Sequence, residues 1–147
     1  MHTNTQPITK AQLEALVLAF YRDIGADEML APVFVSVLGP DWSLHLERIV
    51  DFWCTALLGS RSYRGNMLDK HMRIKGVQPE HFARWLALWQ QHTASRFGPA
   101  EAAELQRMAR RIALQLFRGF FGDLQDFPAD EDSAGVGLSA INEPPTL

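Results

Sequence analysis

The sequence predicts an all-α domain, on three observations. Apolar residues recur at helical spacing in four long segments, and glycine or proline marks the ends of each. The one run that resembles a β-strand, Val33 to Val37, has no partner strand in the sequence and helical neighbours on both sides.

The first segment opens on Thr9-Lys10-Ala11-Gln12, a capping-box pattern in which two side chains satisfy two backbone amides at a helix start. Leu13, Leu16, Val17, Phe20 and Ile24 then share one face, and Gly25 is the expected stop. Asp27 is placed to cap a short turn through Met29 and Leu30, which Pro32 limits, and Val33 to Val37 is read as a turn. Asp41, after Gly39-Pro40, caps a second helix from Trp42 to about Leu58, ended by Gly59. Residues 60–76 are polar and irregular, with room for one helical turn near His71. Pro79 suits the first position of a third helix, whose apolar face is Phe82, Trp85, Leu86 and Trp89 and whose stop is Gly98. Pro99 opens a fourth, with Leu105, Met108, Ile112 and Leu116 on one face, and Gly122 ends it. Residues 8–122 therefore form one domain. Residues 123–147, acidic and rich in proline, glycine and serine, are expected to be a disordered tail.

Composition removes several function classes. A net charge of −3 argues against nucleic acid as the main partner, which calls for a basic surface. No apolar stretch approaches the roughly 20 residues of a membrane span. The N-terminus lacks a signal-peptide run, so a cytoplasmic protein free of the membrane is expected. The single cysteine, Cys54, excludes an intrachain disulfide and is expected to pack as a small hydrophobe beside Trp53. There is no HExxH, GxGxxG, Walker loop or GxSxG motif.

Two histidines stand out. His45 heads a stripe that continues through Ile49, Phe52, Trp53 and Ala56 on one face of the second helix. Pattern alone makes it a core-edge histidine bonded to a backbone carbonyl. His71 lies in the long connection, where pattern alone makes it a surface histidine. A connection of that length without secondary structure is uncommon unless it has a function. Four arginines, Arg107, Arg110, Arg111 and Arg118, give the last helix a basic side, read as a solvated face.

A set of short pieces occurs in a fixed order. These are Phe20-Tyr21, Leu30-Ala31-Pro32-Val33-Phe34, His45, Asp51-Phe52-Trp53, Leu57-Leu58-Gly59, Tyr63-Arg64-Gly65, Lys70-His71 and His81-Phe82-Ala83-Arg84-Trp85-Leu86. From about Leu13 to Phe120, the chain resembles the group III truncated haemoglobins. The glycine pairs usual at helix junctions in groups I and II are missing. The resemblance implies a truncated globin, a two-over-two helical sandwich around haem b (iron protoporphyrin IX). It implies His71 as the proximal iron ligand and Tyr21, His45 and Trp85 as distal residues, with His45 also a candidate sixth ligand. Phe34 would pack on the haem face, with Ile49 and Phe52 lining the apolar side. Tyr63, Lys70, Arg48 and Arg84 are candidates for the propionates. Core packing remains the competing account of Tyr21, His45 and Trp85, and solvated surface that of the charged residues.

The function implied is binding of O2 and other small ligands (CO, NO or peroxide) at a polar distal pocket. Reversible oxygen transport and redox chemistry are both open: a peroxidase or nitric oxide dioxygenase reaction would also need a reductase partner. The alternative from a different class is a haem-free helical interaction protein that uses the arginine-bearing last helix.

Overall fold

Thr9 starts the first helix in the way its sequence dictates. Its hydroxyl accepts from the Gln12 amide at 3.2 Å and the Gln12 side chain accepts from the Thr9 N–H at 2.9 Å. The computed structural model describes residues 7–58, 71, 72 and 74–128. Within them are five helices: α1 (Lys10–Ala26), α2 (Ala31–Leu38), α3 (Ser43–Leu58), α4 (Pro79–Arg96) and α5 (Pro99–Phe121). No strand occurs among the described residues.

Two local expectations are corrected. Gly25 does not stop α1, which runs on to Ala26. The helix ends where Asp27 takes an extended conformation and turns its carboxylate onto the Met29 and Leu30 amides, at 3.1 and 2.9 Å. Val33 to Val37 is helical rather than a turn. Pro32 sits in the first turn of α2, where its missing N–H costs no intrahelical bond, so it starts this helix instead of limiting it. Asp27 also binds Arg84 of α4 at 2.7 Å, with the Asp27 side chain only 8% exposed. One carboxylate thus fixes the α1–α2 corner and ties it to α4.

The remaining boundaries follow their signals. The Asp41 carboxylate accepts from the Ser43 amide at the start of α3. Pro79 and Pro99 occupy the first turns of α4 and α5. Gly122 ends α5 in the left-handed region, at φ 85°, where a side chain would be strained. Gly59 lies outside the described residues.

Helix α1 packs against α3, α4 and α2, and α4 packs along α5. The main core joins α1, α3 and α4 through Leu13, Leu16, Phe20, Ile24, Trp53 and Trp89, with Leu105 from α5. Each such side chain contributes ~1.5–3 kcal/mol on full burial. Trp53 stacks on Trp89 at 4.8 Å between ring centroids, which makes the expected core role of Trp53 concrete. Cys54 is buried beside it, and burial pushes its thiol pKa up. A second core gathers Phe82, Ala113, Leu116 and Phe117 between α4 and α5. Leu124 and Phe127, placed in the tail from sequence, are partly buried against it. The Arg110 guanidinium lies 4.9 Å from the Phe127 ring centre and donates to the Pro128 carbonyl. One of the four arginines of the basic side is therefore used within the fold. Residues 129–147 lie outside the described residues.

Candidate functional site

Between the two cores lies a cleft enclosing about 930 Å³ of empty space, part of it open to solvent. Every helix contributes. Phe20 and Tyr21 come from α1, Phe34 from α2, Ile49, Phe52 and Trp53 from α3, Phe82, Trp85 and Trp89 from α4, and Ile112, Leu116 and Phe120 from α5. The wall is overwhelmingly apolar, so the few polar atoms on it carry the chemistry.

His71 is one of them. It lines the cleft, half-buried, on helical backbone, and its carbonyl accepts from the Ile74 amide at 3.0 Å. Tyr21, 6% exposed, also lines the cleft. Its ring is held edge-on by Phe20, Phe34, Trp42 and His45. Burial pushes the phenol pKa well above its ordinary value of 10.0, so the hydroxyl keeps its proton.

His45 is not on the cleft wall itself. It reaches the site through Tyr21, whose oxygen lies 3.3 Å from His45 Nε2. The two residues are 24 apart in sequence, and the α1–α3 packing brings them together. Burial, then the charges of His71 and Arg48, lower the His45 pKa from 6.5 to about 4. The ring is therefore neutral near pH 7. The unfolded chain binds a proton at about pH 6.5, well before the folded one does. This contribution to stability is complete above pH 6.5 and declines as pH falls towards 4. Urea titrations of the cofactor-free protein should show stability falling over that interval, with a shallower fall in His45→Gln. Equal slopes would contradict it.

Trp85 lines the cleft beside Trp89, their rings parallel within 2° and 6.2 Å apart. The two indoles differ in what their N–H groups do. Trp89 donates to the Leu105 carbonyl at 3.0 Å. Trp85 has no acceptor among the described residues, which leaves it the indole able to donate to a ligand.

The charged candidates fare differently. Arg84 binds Asp27 at 2.7 Å and does not line the cleft. Arg48 is exposed on α3 and absent from the cleft wall, although its charge is felt at His45. Tyr63 and Lys70 lie outside the described residues. Two residues passed over in the sequence belong here. Trp42 packs against Tyr21 and Phe34, with its own N–H bonded to the Gly39 carbonyl at 2.7 Å. His81 lines the cleft at the start of α4. The signal for His81 was its position three residues after the N-cap Gln78, where a side chain can turn back onto the helix start.

Among the described residues no three His, Cys, Asp or Glu side chains gather as they would around a bare metal ion. The donor set fits haem instead: an imidazole on an apolar wall, with neutral O–H and N–H donors and flat aromatic surfaces nearby. A helical sandwich enclosing such a cleft, with a histidine from an interhelical connection on its wall, defines a globin. Residues 9–115 match the family model of the bacterial-like globins. The group 3 truncated hemoglobin ctb of Campylobacter jejuni is 30% identical over 89 residues, covering 58% of this chain and 70% of that protein. The crystal structure of the group III truncated hemoglobin from Campylobacter jejuni matches with a TM-score of 0.75 at 26% identity, over 82% of this chain and 96% of that one.

The chain belongs to the bacterial-like globins and, within them, to the group III truncated haemoglobins. Membership carries haem-based binding of small ligands with it. It gives no support to a haem-free interaction protein built on the last helix. No helix among the described residues is long and apolar enough to cross a membrane.

Proposed function

We propose that this protein binds haem b through His71, holds O2 or a similarly polar ligand tightly between Tyr21 and Trp85, and performs redox chemistry on that ligand. Peroxide reduction and nitric oxide dioxygenation are the two reactions of that kind, and each would draw electrons from a reductase. The observation that carries the reading is the buried Tyr21 hydroxyl, on the cleft wall and within 3.3 Å of a neutral imidazole.

Haem would supply an iron that takes a diatomic ligand or peroxide and exchanges electrons with it. The chain's own groups do the rest. His71 would present a neutral imidazole nitrogen as the proximal ligand. Tyr21 stays a phenol and so keeps an O–H, whose direction depends on His45. His45, neutral, can donate from Nε2 to the Tyr21 oxygen and so orient the phenolic proton into the cleft. In the other tautomer Nε2 accepts the Tyr21 proton, and the donor towards the cleft is lost. Trp85 adds an indole N–H. Phe34, Ile49 and Phe52 exclude water, which strengthens each of these bonds. The same pairing would set Tyr21 in competition with the iron for His45, which could ligate it only after leaving Tyr21.

Two donors converging on one small ligand exceed what reversible carriage requires. They favour slow release and polarise an O–O bond. Stopped-flow mixing of the oxygenated protein with a scavenger, together with a peroxide-turnover assay, tests the reading. Slow O2 release with steady peroxide consumption is expected. Fast release without turnover would favour transport instead.

A further inference from the structure

We propose that His81 is a haem-carboxylate anchor: its Nε2–H donates to a propionate at the rim of the cleft. The inference rests on the haem reading above and assigns a group that it leaves without a partner.

The ring of His81 has its tautomer fixed by the fold. The Gln78 backbone N–H donates to His81 Nδ1 at 2.8 Å. A neutral imidazole that accepts at Nδ1 carries its proton on Nε2. His81 is therefore a donor at the other side of its ring, and among the described residues nothing accepts from it. The same hydrogen bond argues against His81 as an iron ligand, because Nε2 has no lone pair free in this tautomer. The residue is half-buried and lines the cleft, which places it at the rim rather than in the floor. Its neighbours on the wall, Ile74, Val77, Phe82 and Phe120, are apolar.

Haem carries two carboxylates that need donors where the cleft meets water. Arg84 is held by Asp27, and Arg48 does not line the cleft. Among the described residues His81 is the rim group with a proton to give. A fixed tautomer also makes it a better donor than a free surface histidine, since no rotation or proton shift precedes the bond.

The test exploits the two jobs of the ring. Gln and Glu at position 81 both keep an oxygen that can accept from the Gln78 amide, so both keep the helix start. Only Gln also offers an N–H. Haem loss to an excess of scavenging apoglobin is measured for the wild type, His81→Gln and His81→Glu. Each is loaded either with haem or with its dimethyl ester, in which the carboxylates are masked. With haem, His81→Glu should lose its cofactor ~10-fold or more faster than wild type, the worth of a charge-assisted bond, and His81→Gln should stay close to wild type. With the dimethyl ester, the difference between wild type and His81→Glu should collapse. Equal rates for all three proteins with haem, or a difference that survives esterification, overturns the assignment of His81 alone. Failure of the wild type to take up haem overturns the haem reading and this inference together.

Discussion

His71→Gly is expected to leave a folded protein that no longer retains haem tightly. The substitution removes one side chain from a cleft whose walls come mainly from the helices, so the two cores persist. What is lost is the bond to iron. Removing a partner that merely orients a metal ligand costs about 10- to 100-fold in affinity, so loss of the ligand itself should exceed ~100-fold. Haem titration followed by the Soret band measures it, and added imidazole, which fits the space vacated, should restore part of the spectrum. Undiminished binding in His71→Gly would mean that another side chain holds the cofactor.

The second large effect is expected from Tyr21→Phe. The ring contacts with Phe20, Phe34 and Trp42 survive the change, so the packing is kept and only the hydroxyl goes. A hydrogen bond to a ligand oxygen carrying partial negative charge contributes about 1.5–3 kcal/mol. Its loss should speed O2 release by roughly 10- to 150-fold, with CO release little changed because CO is scarcely polarised. The substitution also frees His45, which then has no phenol to pair with. If His45 turns inwards and donates in its place, the O2 effect shrinks in Tyr21→Phe and returns in full in Tyr21→Phe/His45→Leu. O2 and CO release altered by the same factor would point to altered packing rather than a lost donor.

The four long helices were legible because their signals are local. A capping box at Thr9, prolines in the first turns at Pro79 and Pro99 and a left-handed glycine at Gly122 each act within a few residues. Helix α2 was misread for the opposite reason. Its β-branched run favours a strand locally, and its helix is held by packing of Phe34 against Tyr21 and Trp42, which lie outside it in sequence. The histidines divide in the same way. Spacing put His45 at the head of an apolar stripe and the length of its connection drew notice to His71, but only the ordered family pieces gave them roles. The contact of His45 with Tyr21, the capture of Arg84 by Asp27 from 57 residues away and the separate fates of the Trp85 and Trp89 N–H groups all depend on how helices pack. No periodicity encodes them.

The most direct test of the account is the bond between His71 and iron. Resonance Raman spectra of the ferrous, ligand-free protein, prepared with natural and 15N-labelled histidine, report the iron–histidine stretch. The account predicts a band that shifts with the label, vanishes in His71→Gly and returns without the label shift when imidazole is added. A label-sensitive band that persists in His71→Gly would show iron held by a different histidine and would contradict it.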